Sequence, residues 1–314
     1  MSQSLSADGL WAALQHPDAA RRQLALIERA DTLDPASLEP LLAAAVDSDA
    51  TVRRLAVGML EDIGDVRALP VVIRALGDAD EGVREAARSA VRGFRGDEAA
   101  ALLRAAAGHD SAEVREWVLI GLRELRDPEA LPVLLRALGD PSARVRQAAL
   151  VSLAYLRRRD SAPALAGCLS DEDPGVRRLA IAALASTWSP EVTPKVVARL
   201  RDPDWQVRAE AAAALGATGS APAAPALVEA LEDSHWQVVK AAVTALGAVR
   251  ADVAVPRLVL LLASPTSDVR RACADALGQL RAAGAQPELR RLRDDPDVEV
   301  RKAAARALRV LESA

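Results

Sequence analysis

The chain has 314 residues, of which 51% are apolar and only 2% aromatic, with 40 basic and 44 acidic side chains and a formal net charge of −4. An apolar interior this short of aromatics must be built from Ala, Leu and Val, which suits closely stacked helices. The acidic balance excludes a general polyanion binder, and the chain shows neither a basic start followed by an apolar stretch nor an apolar run near the roughly 18 residues that span a bilayer. These features lead to the expectation of a cytoplasmic, monomeric protein that meets no nucleic acid and no membrane.

Along the chain, a Val-Arg pair returns every 31 residues, giving Arg53, Arg84, Arg115, Arg146, Arg177, Arg208, Arg270 and Arg301, with Arg22 one period earlier and only Val239 breaking the column. Pro70, Pro132, Pro163, Pro194, Pro225, Pro256 and Pro287 keep the same period. Two columns in lockstep specify a repeat array. Residues 1–32 are expected to form an N-terminal capping repeat with Trp11 in its core, 33–281 the internal repeats, and 282–314 a C-terminal cap, whose Arg290, Arg293 and Arg306 occupy columns more often apolar or small elsewhere. The segment 127–156 shows one unit: Leu131 to Leu138 read as a short helix with Pro132 near its start, Gly139-Asp140-Pro141-Ser142 as a turn, and Val145, Ala149, Leu153 and Leu156 as one face of a second helix. Further on, STWSPEVTPK at 186–195 replaces the usual connection and predicts an altered loop or local bend around Trp188. The fold class is therefore all-α: a right-handed α-α superhelix of about ten stacked 31-residue hairpins forming one solenoid over 1–314.

The motif of Asp, Val-Arg and Ala-Ala-x-Ala-Leu-Gly, as in DPDWQVRAEAAAALG at 202–216, resembles the short HEAT-like repeat of the phycobilisome-lyase type and is similar to consensus alpha-repeat proteins designed from it. The resemblance covers about residues 8–314. It implies a helical solenoid whose second helices line a concave binding surface, and a range of roles from chromophore lyases and enzyme-assembly factors to bacterial adaptors.

Two columns of Asp suggest chemistry at first sight: Asp47, Asp78, Asp140, Asp171, Asp202, Asp233 and Asp295, and nearer the second helix Asp18, Asp49, Asp80, Asp173, Asp204 and Asp297. Residues present in nearly every unit serve stacking, so these acids are read as helix caps and as partners of the arginine ladder. His16, His109 and His235 replace Asp in phase. No His-Glu pair, such as marks the di-iron HEAT-repeat hydroxylases, no H-x-x-x-H, C-x-x-C or glycine-rich phosphate loop occurs, and Cys168 and Cys273 fall at core positions. The chain is read as no enzyme, with no catalytic residue, metal or cofactor.

Specificity should then lie in variable, solvent-facing columns of the second helices. Trp117, Ile120, Glu116, Glu124, Arg144, Gln147, Val151, Tyr155 and Arg178 compose a concave groove with an apolar centre and charged rim, suited to a partner protein. Trp205, Gln206, Trp236 and Gln237 form a second edge patch, with the two Trp expected to stack one repeat apart. The function expected is a non-catalytic interaction scaffold or adaptor. A chromophore or cofactor lyase or maturation factor is the alternative, and a HEAT-like DNA glycosylase, which needs a basic groove, is a third reading.

Overall fold

The computed structural model describes residues 7–312, which form ten helical hairpins and no strand. The chain divides into two compact units, Met1–Leu156 and Arg157–Ala314. In the first, the helices are α1 (Ala7–Leu14), α2 (Ala19–Arg29), α3 (Leu38–Ala44), α4 (Ala50–Ile63), α5 (Leu69–Ala75), α6 (Glu81–Ala90), α7 (Asp97–Ala106), α8 (Ala112–Leu125), α9 (Leu131–Ala137) and α10 (Ala143–Leu156). In the second they are α11 (Ala162–Gly167), α12 (Pro174–Ala185), α13 (Thr193–Ala198), α14 (Trp205–Ala217), α15 (Ala224–Glu229), α16 (Trp236–Ala248), α17 (Val255–Leu261), α18 (Ser267–Gln279), α19 (Gln286–Arg291) and α20 (Val298–Glu312). Odd-numbered helices are the short first arms, mostly with Pro in their opening turn, where its missing N–H is no loss. Even-numbered helices are the second arms: α2, α4 and α6 stack in succession and α8 packs on α10 in the first unit, while α12, α14, α16, α18 and α20 stack in succession in the second.

The repeating Val column is the spine of the core: Val52, Val83, Val114, Val145, Val176, Val207, Val238, Val269 and Val300 are all buried. Each such side chain contributes about 1.5–3 kcal/mol over exposure. Trp11 departs from expectation and is 46% exposed, because Leu10 and Leu14 sit four apart on the buried face of α1 and leave Trp11 turned outward. The altered segment at 186–195 forms an irregular turn at 186–192 between α12 and α13, with Val192 buried at its end, and its last three residues open α13.

The arginine ladder joins neighbouring hairpins through a fixed offset of 25 residues. Arg177 donates from Nε and Nη2 to both carboxylate oxygens of Asp202 (2.8 and 2.7 Å) and from Nη1 to the carbonyls of Asp171 and Glu172 in its own turn (2.9 and 3.1 Å). The same two-pronged contact links Arg22 to Asp47, Arg53 to Asp78, Arg115 to Asp140, Arg208 to Asp233 and Arg270 to Asp295. The second Asp column caps the following helix: Asp49, Asp80, Asp173 and Asp204 accept from the backbone N–H of Val52, Val83, Val176 and Val207. His16 and His109 substitute for the ladder's Asp by accepting, through Nδ1, the N–H two residues on (3.0 Å each).

Glycine sets the spacing in the second unit. Gly216, Gly247 and Gly278 each face an alanine of the next second helix, and a β-carbon at 216 would lie 2.6 Å from Cα of Ala245. The helices can approach this closely only without a side chain there. Cys273, on the buried face of α18, is wholly shielded, and burial pushes its thiol up to about 12. Native protein at pH 8 is accordingly expected to show no labelling of Cys273 by a maleimide within the time that unfolded protein is fully labelled, as mass spectrometry would read. Rapid modification of the folded chain would contradict this packing.

Candidate partner-binding clefts

In the first unit, Glu116, Trp117, Arg144 and Gln147 converge with Glu81, Arg84, Arg88 and Glu113 around a cleft of about 670 Å³ across α6, α8 and α10. The ladder fails at this junction. Arg84 should meet residue 109, but His109 stands there, so Arg84 turns to Glu81 and Glu113 (Nε to Glu113 3.5 Å). Arg88 occupies a column that is Val57, Leu119, Leu150 and Ile181 in other repeats, and it brings a guanidinium into that otherwise apolar layer. Glu113 and then Glu85 are the main groups that raise its pKa and hold it charged, with Glu81 adding to them. Its guanidinium lies 5.7 Å from the centre of the Trp117 ring, a cation–π contact. Burial pushes the Glu116 carboxyl above its ordinary range, with Arg144 opposing.

The remaining groove residues of this unit lie toward the other end of the same helices. Ile120 and Val151 are half-buried, and Tyr155 is 57% exposed with Arg123 5.5 Å from its ring centre. Glu124 pairs with Arg123 (2.8 Å). Trp117 and Tyr155 are thus two separately braced aromatics, each set against an arginine.

Arg178 belongs elsewhere. It lies in the second unit and lines, with Trp205, Gln206 and Gln237, a second cleft of about 670 Å³ whose floor includes Ala213, Ala217 and Ala241. Glu210 also faces this cleft, half-buried, with burial raising its pKa and Arg178 opposing. The edge aromatics do not stack on each other as expected: Trp205 lies face to face with His235 (centroids 5.6 Å, planes 10° apart), while Trp236 sits beneath Lys240 at 5.7 Å. The ring of Trp205 reaches back across the turn to the residue before Trp236, which the column reading could not resolve.

Arg88 and Glu210 were not singled out from the sequence. Both depart from their columns, Arg88 from an apolar one and Glu210 from one holding Leu55, Ala86, Leu179 and Ala241, so the signal was present. Among the described residues no three His, Cys, Asp or Glu side chains converge as metal ligands would, and no helix is long and apolar enough to cross a membrane.

Comparison with known proteins places the architecture. An engineered protein of known crystal structure is 22% identical, with a TM-score of 0.53 over 98% of this chain and 99% of its own. The Escherichia coli protein YibA is 19% identical, with a TM-score of 0.59 over 85% of this chain and 99% of its own. Kap95p, solved with RanGDP, is 15% identical, with a TM-score of 0.61 over 98% of this chain and 49% of its own. No curated protein matches in sequence. The profile of HEAT repeats matches residues 7–92, 75–154, 135–203, 193–274 and 255–313. With its stacked hairpins, ladder and nearly continuous matches, the chain belongs to the HEAT-repeat family.

Proposed function

We propose that this protein is a non-catalytic scaffold that holds a partner protein against the solvent faces of its second helices. The observation that carries this reading is the composition of the second unit's cleft, a floor of Ala213, Ala217 and Ala241 rimmed by Trp205, Gln206 and Arg178; the first unit's cleft sets Trp117 among the charged and polar side chains of Arg88, Glu116, Arg144 and Gln147. Aromatic and arginine side chains around a small-residue floor are the materials of protein recognition hot spots. The motif at 202–216 supports assigning the repeats to the phycobilisome-lyase type within the family. No cysteine lines either cleft, so a chromophore-handling role has less support than partner binding.

Replacement of both Trp117 and Tyr155 by Ala is expected to weaken capture of the partner from the native host about 10-fold or more, read by quantitative mass spectrometry. The circular dichroism melt should stay nearly unchanged, because Tyr155 is largely exposed and Trp117 only partly buried. A large loss of stability with capture intact would assign both rings to packing alone.

A further inference from the structure

At the end of the second helices, one position of the 31-residue period takes left-handed backbone: Gly64 (φ 66°), Arg126 (51°), Arg157 (50°), Gly219 (65°), Arg250 (55°) and Arg281 (51°). Glycine enters this region freely, whereas an arginine there sets its β-carbon against a carbonyl oxygen, and such strain gathers where a side chain is put to use. Gly219 makes the same turn, so the turn itself has no need of arginine.

Arg250 and Arg281 are exposed and line a cleft of about 780 Å³ over α16, α18 and α20, together with Lys240, Arg271, Arg306 and Asp275. Three of these five cations are already engaged. Lys240 and Arg271 share Asp268 (3.0 and 2.7 Å), and Arg306 holds Asp275 (2.9 Å). Arg250 and Arg281 have neither a hydrogen bond nor an ion pair from their side chains among the described residues. Two unneutralised guanidinium forks therefore face one cleft from successive repeats, over a floor of Ala248, Ala272 and Ala276.

We propose that this cleft binds an acidic segment of a partner protein, with its carboxylates seated on Arg250 and Arg281. The guanidinium fork matches a carboxylate in two parallel hydrogen bonds, and three helices spaced 8–10 Å apart present roughly 20 Å of groove, enough for about six extended residues. A polypeptide fits better than a nucleic acid. The floor is alanine, and through Lys240, Thr244 and Ala248 the cleft continues into the Trp205 cleft, whose floor of Ala213, Ala217 and Ala241 suits the apolar side chains that a polypeptide, unlike a phosphate backbone, can set between its charges. This proposal rests on the second-helix faces being the partner surface.

The test uses the full chain and a fluorescein-labelled peptide of alternating Glu and Ala, with a Lys-and-Ala peptide as control, read by anisotropy at low and moderate salt. The acidic peptide should bind and the basic one should not. The double variant Arg250→Gly/Arg281→Gly should bind at least 10-fold more weakly while melting at the same or a higher temperature, since glycine relieves the backbone. Arg250→Lys/Arg281→Lys, which keeps the charges but loses the forks, should bind more weakly than the parent chain and more tightly than the double glycine variant. Absence of acidic-peptide binding, equal binding by the double glycine variant, or displacement of the peptide by duplex DNA at lower concentration than by unlabelled peptide would overturn the proposal. The scaffold reading is judged separately, because capture through Trp117 and Tyr155 on the first unit can succeed while this peptide fails.

Discussion

Replacement of Asp202 by Ala is expected to cost about 3 kcal/mol or more of stability, the range found when one partner of a buried ion pair is removed. Its side chain is fully shielded, accepts both prongs of Arg177, lies 3.6 Å from Arg199 and accepts the N–H of Asp204. Removing it strands a guanidinium that is itself only 10% exposed. Asp78, which makes the same contact to Arg53 with 16% of each side chain exposed, should cost less when replaced. Urea unfolding followed through the fluorescence of nearby Trp205 would measure the difference, and equal, small losses at both positions would remove the ladder as a source of stability. The same column predicts an acid limit. Burial alone would raise the Asp202 pKa, but the Arg177 fork and the Asp204 N–H outweigh it, so the folded value lies below that of the unfolded chain. Asp47, Asp78, Asp140, Asp233 and Asp295 are lowered likewise. A depressed carboxyl contributes stability that is fully present above the unfolded value of about 3.9 and lost as pH falls through the folded values, so thermal stability should drop steeply below about pH 4.

Gly216→Ala and Gly58→Ala should move stability in opposite directions, although both place the same methyl group in a helix. At 216 the new carbon would meet Cα and Cβ of Ala245 at 2.6 and 2.8 Å, so α14 and α16 must separate, at a cost of about 1–3 kcal/mol that outweighs the gain in helix propensity. At 58, within α4, nothing lies within 4 Å, and the substitution should stabilise by about 0.5–1 kcal/mol. Thermal melts of the two variants decide the matter. A stabilised Gly216→Ala chain would mean that the close approach is not required.

The fold was legible because its determinants recur: Val marks the buried spine, Asp the caps and Pro the opening turns, and each signal is repeated until chance is excluded. The candidate site was only partly legible. Columns of solvent-facing residues could be listed, but which of them share a cleft depends on how helices sit side by side, and so Arg178 was grouped with Trp117 when it lines the Trp205 cleft instead. Trp11 was expected in the core of the N-terminal cap, yet the phase of Leu10 and Leu14 decides the matter and turns it outward. Arg250 and Arg281 escaped notice for a different reason. The sign of a backbone angle is not written in an arginine codon as it nearly is in a glycine, and only the coordinates show that these residues hold a glycine's conformation.

The 25-residue offset of the ladder gives most hairpins within each unit both halves of a joint, an arginine plug facing one neighbour and an aspartate socket facing the other. Such head-to-tail couplings are indifferent to which copies they join, so a unit that keeps both halves can be inserted, deleted or duplicated without redesign of its neighbours. The coupling also predicts how units drift. Where the plug is lost at Val239 the socket 25 residues on is Ser264, whereas at His109 the socket is lost and the plug, Arg84, is retained and redirected to Glu113. A joint abandoned from both sides becomes neutral packing, but one abandoned from a single side leaves a charge free for new use, and it is beside such a joint that Arg88 and Trp117 stand.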